Sequence, residues 1–259
     1  MGFHQAKAYI KHQLQAGTEH GLDSEFVHEL YSKVIQPEKN YYVFLELEEL
    51  RKKLLKDERT ISITDFGAGS KVMKGNERRI SQIAHYSVGG RLEGKLLFKL
   101  IDFLKPNTML ELGTSLGLNT LYQHLANPNA ELITFEGCPN TARIAQENFK
   151  GWKVKPRVVM GNIDETLRRE VAKLEKLDYV FFDANHRYQP TIDYFNVCLE
   201  KSHENTIFIF DDIHWSAEME QAWEEIKQHE SVSITVDLFE LGLVFFKKEQ
   251  PKQHFRLKL

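Results

Sequence analysis

Cysteine is scarce in this chain: Cys138 and Cys198 are the only two among 259 residues. They are too few and too widely spaced for a disulfide framework or a cysteine-based zinc site. Small, half-buried thiols are the expectation. Long apolar runs are missing as well. No stretch approaches the roughly 18 apolar residues that a membrane span requires, and the opening MGFHQAKAYIKHQLQ has no apolar signal core. Ala6 breaks the myristoylation pattern that Gly2 would begin. Nor is there an excess of one charge. The formal net charge is −3, whereas nucleic-acid binders carry a basic face. These absences predict a cytoplasmic protein with no membrane or nucleic-acid partner. What is present suits a globular chain. Its 42% of hydrophobic residues can build the core of one large domain, or of one domain with a smaller appendage.

Residues 1–58 read as helical. Phe3, Ala6 and Ile10 share one face of a first helix. Asp23 or Ser24 can cap a second, carrying Phe26, Leu30 and Val34. A third runs from about Val43 to Leu55, with Leu45, Leu47, Leu50 and Leu54 as its apolar positions. Such helices need tertiary contacts or a second subunit to persist. Residues 1–88 are therefore expected to form a cap or a homodimer segment. Within them, Asp65–Ser70 (DFGAGS) is a glycine-rich turn with no helical pattern and no acid-ended strand behind it. It reads as a surface turn, or as a lid bringing Lys71, Arg78 or Arg79 to an anionic group. A further helix carries Leu92, Leu96, Leu97, Leu100 and Phe103 and ends at Pro106.

From Thr108 onward strand and helix patterns alternate. Glu131–Glu136, Arg157–Gly161, Tyr179–Asp183 and Thr206–Asp211 are β-rich runs, each followed by helical spacing. Continuously apolar strands predict burial on both faces, as in a parallel sheet covered by helices. Val232–Leu238 and Leu241–Lys247, separated by Phe239 and Glu240, predict a closing antiparallel hairpin without Asn-Gly chemistry. The expected class is α/β, with five parallel βα units and the hairpin, seven strands, over residues 89–250. A helical extension precedes it and a loose polar tail, 251–259, follows.

Ligands of open α/β sheets bind outside the carboxyl ends of the strands. Each expected end here carries a polar residue or glycine. The first runs from Glu111 through Gly113, Thr114 and Ser115 to Gly117: strand, glycine turn, helix. Glu136 lies 25 residues beyond Glu111, near the roughly 20-residue offset at which a carboxylate accepts ribose hydroxyls. Asn162 follows the third strand and suits either an adenine edge or a turn. Asp183 with His186 (DANH) follows the fourth, and Asp211-Asp212 the fifth. Three converging carboxylates would repel one another unless a hard cation, Mg²⁺ or Mn²⁺, held them. The plainer alternative is that Asp211 or Asp212 caps the next helix or lines a pocket. His186 is either a general base or a structural histidine. His214 and Trp215 either wall an acceptor pocket or pack.

Together LELGTSLG (110–117), TFEG (134–137), MGNIDETL (160–167), DYVFFDANHRY (178–188), IFDDIHW (209–215) and GLVFF (242–246) resemble the class I S-adenosylmethionine-dependent methyltransferases, over residues 88–248. Within that superfamily the chain looks most similar to metal-dependent small-molecule O-methyltransferases of the catechol and macrolide-sugar kinds. The resemblance implies a Rossmann-like seven-stranded sheet and S-adenosylmethionine as cofactor. It implies that Glu111, Gly113 and Ser115 meet the methionine part, Glu136 the ribose, and Asn162 with Ile163 the adenine. Thr114, Gly117, Gly137 and Asp183 complete the implied cofactor set. Asp183, Asp211 and Asp212 fall at the family's ligands for Mg²⁺ or Mn²⁺, and His186 at its base, so that His186 and Asp183 are the implied catalytic pair. The implied reaction is O-methylation of a small-molecule hydroxyl. The alternatives are metal-independent transfer to nitrogen or another acceptor, and a cofactor-binding regulator without turnover. A dinucleotide oxidoreductase fits less well, because 113–117 reads GTSLG rather than G-x-G-x-x-G. The chain departs from the resemblance at Asn119, where relatives often carry serine, and over residues 1–85.

Overall fold

The computed structural model describes residues 3–18, 23–36, 41–64, 76–86 and 91–259. Asp65–Ser70 and Lys71 of the expected lid lie outside the described residues. In chain order the elements are α1 (Phe3–Gln15), α2 (Glu25–Leu30) continuing as a π-helical turn (Tyr31–Ile35), α3 (Tyr42–Leu54), β1 (Thr60–Ser62), β2 (Glu77–Arg79), α4 (Ile80–Tyr86), α5 (Arg91–Leu104), β3 (Thr108–Leu112), α6 (Leu118–Ala126), β4 (Glu131–Glu136) and α7 (Pro139–Trp152). Then come β5 (Arg157–Met160), α8 (Ile163–Val171), β6 (Tyr179–Phe182), α9 (Tyr188–Leu199), β7 (Ile207–Asp211), α10 (Ala217–Gln228), β8 (Ile234–Asp237), β9 (Leu241–Phe245) and β10 (Gln253–Arg256). Among the described residues no helix is long and apolar enough to cross a membrane. The chain divides into two compact units, Pro37–Thr166 and Met1–Gln36 with Leu167–Leu259.

In the unit Pro37–Thr166, β3, β4 and β5 pair in parallel, with Thr108 opposite Glu131 and Ile133 opposite Arg157. Met109, Leu110, Leu112, Leu132, Ile133 and Phe135 are all buried, as strands covered on both faces require. On α3, Leu47 and Leu54 are buried as expected and Leu50 partly so, while Leu45 is exposed and Phe44 takes its inward place. The Phe44 ring packs edge-on to Phe98 and tilted against Tyr122, and an aromatic ring buries more area than Leu45 would. The small β1–β2 ribbon is antiparallel. It is tied to the start of α7 by the Asn140 amide donating to the Ser62 carbonyl at 2.8 Å. Arg79, one of the expected lid cations, donates to Glu58 at 2.8 Å.

In the other unit, β6 and β7 are parallel, and β9 runs antiparallel to both β7 and β8. The hairpin turn works without Asn-Gly. Phe239 adopts φ 76°, and its N–H donates to Asp237 Oδ1 at 2.9 Å. A Cβ on Gly242 of β9 would lie 2.6 Å from the Trp223 ring, so glycine is what lets α10 close on the sheet.

Two expectations fail at the chain ends. Gln253–Arg256 is a strand parallel to β8, not a loose tail, and the strands of the two sheet regions number eight rather than seven. Without it β8 would be an edge with unpaired backbone groups. The Gln253 N–H meets the Ser233 carbonyl at 2.8 Å, and His254 bonds Thr235 at 2.8 Å. On α1, Ile10 is 61% exposed and His12 only 2%. This helix docks through His12 and Tyr9, whose ring stands edge-on to Phe239, rather than through the face of Ile10.

Asp237 holds these ends together. Its carboxylate accepts from Arg256 Nε at 3.1 Å and lies 3.0 Å from His214 Nε2 and 3.2 Å from His12 Nε2. Burial pushes its pKa up, but the hydrogen bonds of His12 and His214, the His214 charge and the Phe239 amide outweigh that. The carboxyl is held well below the usual range. His214 moves the other way: burial lowers its pKa, and Asp237 and Glu220 raise it more. The signs define a window. Asp237 favours folding above an unfolded-state pKa of about 4 and loses that contribution as pH falls further. His214 favours folding below an unfolded-state pKa of about 6.5 and loses its contribution as pH rises through the raised folded value. The melting-temperature gap between wild type and Asp237→Asn is therefore expected to be widest between about pH 4 and 6.5 and to narrow on both sides. Scanning calorimetry across pH checks this; a gap independent of pH would refute the clamp.

Candidate active site

In the unit Pro37–Thr166, β3 and β4 each carry an acid to their carboxyl ends, and the two acids are used differently. Glu111 is fully buried. Its carboxylate accepts hydrogen bonds from Thr120 Oγ1 at 2.5 Å, Gln123 Nε2 at 2.5 Å and Thr134 Oγ1 at 2.6 Å. These donors tie β3 to β4 and to α6 directly beside the glycine turn. Thr120 and Gln123, one helical turn apart on α6, are partners that the sequence reading missed; their i,i+3 spacing was the available signal. Glu136 accepts from the Ser115 N–H at 2.9 Å and the Cys138 N–H at 2.8 Å. Two backbone amides thus fix the orientation of the carboxylate expected to read a ribose, with its acceptor-only chemistry turned to the strand end.

The turn between them is built from left-handed backbone: Gly113 at φ 108°, Ser115 at φ 49° and Gly117 at φ 81°. The N–H groups of Gly113 and Thr114 both donate to the Phe135 carbonyl, at 3.1 and 3.0 Å, and the Thr114 hydroxyl meets that of Thr134 at 2.6 Å. A Cβ on Gly117 would come within 2.6 Å of the Phe149 ring. Ser115 Oγ is buried and has no hydrogen-bond partner among the described residues. An orphaned hydroxyl on a glycine turn is the kind of group a polar ligand satisfies, so these residues fit the cofactor. Asn119, the departure from serine, donates to Glu93 Oε1 at 2.6 Å, both side chains being buried. Glu93 was not visible as a site residue in the sequence.

After β5, Gly161 sits at φ 120° and donates to the Glu136 carbonyl at 3.0 Å. Asn162 precedes α8 and caps it. Its carbonyl accepts from Glu165 and Thr166, and its Oδ1 from the Asp164 N–H at 3.2 Å. An Asx side chain reaches the amide two residues on, which makes Asn162 the cap. Gly137, Asn162 and Ile163 are partly exposed.

In the other unit, Asp183 follows β6 and Asp211 ends β7. One ligand atom each from Asp183, His186 and Asp211 lie within 4.8 Å of one another. His186 Nε2 is 3.5 Å from Asp183 Oδ1, and His186 Nδ1 is 3.9 Å from Asp212 Oδ2. The expected trio of Asp183, Asp211 and Asp212 is thus not the set that gathers: His186 takes the third place and Asp212 faces its ring. The backbone explains the exchange. Asn185, His186 and Asp212 adopt φ of 68°, 34° and 56°, which redirects side chains that an extended strand end would have aimed elsewhere. Burial lowers the His186 pKa, but the hydrogen bond of Asp183 and the charges of Asp212 and Asp183 raise it above the ordinary value. Burial raises the Asp212 pKa; Asp183 and Glu240 add to that, and His186 opposes it. His214 stacks on Phe239 at 5.3 Å and is a packing residue rather than a pocket wall. Trp215 is 39% exposed, with its N–H on the Asp212 carbonyl at 2.9 Å.

Known proteins share this arrangement of elements. Residues 110–213 match the family described as a methyltransferase domain. A catechol O-methyltransferase from Niastella koreensis is 30% identical over 125 residues, 47% of this chain and 56% of that protein. The catechol O-methyltransferase of Sus scrofa is 32% identical over 107 residues, 39% of this chain and 58% of that one. The chain thus spans under two thirds of the length of the curated relatives it matches. Among solved structures, the S-adenosylhomocysteine-bound Podospora anserina methyltransferase PaMTH1 has a TM-score of 0.61 at 15% identity, covering 90% of this chain and 100% of that one. The Bacillus cereus O-methyltransferase in complex with S-adenosylhomocysteine has a TM-score of 0.54 at 19% identity, covering 85% and 97%. The fold is the one these methyltransferase structures share, and the family match over residues 110–213 falls on the strands and turns just described.

Gly117→Ala forces a left-handed alanine against Phe149. It is expected to destabilise the protein by about 1–3 kcal/mol and to weaken S-adenosylhomocysteine binding at least about tenfold, read by thermal melts and calorimetric titration. Wild-type values in both would show that the turn is not the binding element.

Proposed function

We propose that this protein is an S-adenosylmethionine-dependent O-methyltransferase acting on the hydroxyl of a small-molecule acceptor with the help of Mg²⁺ or Mn²⁺. The observation that carries the reading is the gathering of Asp183, His186 and Asp211 at the ends of β6 and β7. The carboxylates of Asp183 and Asp211 are hard oxygen donors of the kind such cations accept, and the imidazole stands beside them. The names of the catechol O-methyltransferase relatives support a hydroxyl acceptor and make catechols the first to try.

S-adenosylmethionine, when bound, supplies a methyl group already activated on a sulfonium. The Gly113–Gly117 turn and Gly137 border it, Ser115 Oγ offers an unused hydroxyl, and the Glu136 carboxylate accepts from the ribose; Asn162 and Ile163 border the adenine. A cation held by Asp183 and Asp211 would lower the pKa of an acceptor hydroxyl. The His186 ring takes the acceptor's proton, and Asp212 Oδ2, 3.9 Å from Nδ1, is placed to stabilise the imidazolium that forms. The Asp212 charge that favours a protonated ring also disfavours use of that ring as a cation ligand, so His186 is assigned the base.

Labelled methyl transfer to a panel of catechols, flavonoids and sugars is expected with Mg²⁺, to vanish in EDTA and to return when Mg²⁺ is restored. His186→Ala is expected to lower kcat by about 10²–10⁴ and to leave S-adenosylhomocysteine affinity within about twofold. Undiminished turnover in EDTA would remove the cation from the reaction. A collapse of cofactor affinity in His186→Ala would move that residue into the cofactor site.

A further inference from the structure

The turn that follows β7 is strained and heavily anchored. Asp212 holds φ 56°, a conformation that costs a non-glycine residue about 1–3 kcal/mol and persists only where its surroundings impose it. Three contacts impose it. The Trp215 N–H closes the turn on the Asp212 carbonyl at 2.9 Å. Ile213 is buried against β9, 3.0 Å from where a Cβ on Gly242 would sit. His214 is gripped at both ring nitrogens, Nδ1 by Glu220 Oε1 and Nε2 by Asp237 Oδ2, each at 3.0 Å, with its face stacked on Phe239.

Asp237, the inner grip, is itself fixed from several elements: the Phe239 amide from its own hairpin, Arg256 from β10 and His12 from α1. His4, at the start of α1, lies 3.3 Å from Glu220, the outer grip. A buried charge cluster is a poor device for stability alone, since well-packed apolar residues of similar volume often do as well or better. What it gives is direction. We propose that Asp237 is a positioning residue: acting through His214, it fixes the Asp211–Trp215 turn and so presents Asp212 to the His186 ring, with α1 and β10 as parts of the same device. The proposal rests on the role assigned above to Asp212 beside His186. It makes the two chain ends supports of the reacting end of the site.

The test follows the His186 ring by NMR in protein labelled with ¹⁵N-histidine, at one fixed pH, its signals assigned with His186→Asn. Asp212→Asn is the reference. Asp237→Asn and His214→Phe are the test variants, and His214→Phe keeps a ring against Phe239 while losing both hydrogen bonds. Arg168→Ala, which breaks an exposed pair with Glu200 in the same unit, is the control. Both test variants are expected to displace the His186 signals from wild type toward their positions in Asp212→Asn, and the control to leave them in place. Cooperative thermal melts establish folding, and His214→Phe carries the test should Asp237→Asn fail to fold. His186 signals unmoved in a folded test variant, with Asp212→Asn moving them, would overturn the positioning role while the Asp212–His186 pairing stands. Signals unmoved even in Asp212→Asn would overturn the pairing, and the positioning role with it.

Discussion

A carboxylate buried at the end of β3 is the constraint on which the first unit depends. Glu111 has no exposed surface, and an uncompensated charge there would cost several kcal/mol. Its three donors come from both neighbours of the turn: Thr134 from β4, and Thr120 with Gln123 from α6. Satisfying this one group therefore locks strand, adjacent strand and helix in register. The five residues between Leu112 and Leu118 have their two ends held; the Gly113 and Thr114 amides donate to Phe135, that of Ser115 to Glu136, and that of Gly117 back to Thr114. The acid at the end of β3 thus has a structural task whatever else it meets. The acid beyond it, Glu136, is the one held by backbone amides and kept at the partly exposed strand end.

The second unit meets a related problem with different chemistry. Asp237 is also buried, but its partners are two histidines, an arginine and a backbone amide, whereas Glu111 uses neutral donors. Hydroxyl and amide donors do not themselves change charge near neutrality. Histidine partners make a footing whose strength changes with pH, because imidazole titrates where hydroxyls and amides do not. Each cluster joins several elements through one buried carboxylate, but with partners of different chemistry.

The strands and the glycine turn were legible because their signals are local. Tyr179–Phe182 and Ile207–Phe210 are apolar at every position and buried at every position, and an apolar run with an acid behind it needs no long-range information. What was not legible depends on partners distant in sequence. His12 is buried because of Asp237, 225 residues away, so periodicity chose the wrong face of α1. β10 is a polar sequence that pairs because β8 offers an edge, and edge pairing needs no apolar alternation. Asn119 made sense only with Glu93 opposite it. At the site, the residue types at the strand ends were readable while their directions were not. Left-handed backbone at Asn185, His186 and Asp212 replaced Asp212 by His186 in the group that gathers, and nothing in a DANH or DD pattern announces a positive φ.

Those positive φ values bear on function as well as on direction. Asparagine and aspartate tolerate the left-handed region better than most residues, because a short polar side chain can bond locally; histidine has less reason to be there. Three such residues gather at two adjacent strand ends, Asn185 and His186 after β6 and Asp212 after β7. At about 1–3 kcal/mol each, their combined strain rivals a sizeable part of the 5–15 kcal/mol that holds a domain folded. A stable turn could be made more cheaply with glycine, as this chain does at Gly113 and Gly117. Keeping an imidazole and a carboxylate in strained backbone is understandable where their side chains are the point of the arrangement. The Asp237 clamp then has a reason to be so elaborate: it supplies the surroundings that make one of the strained residues persist.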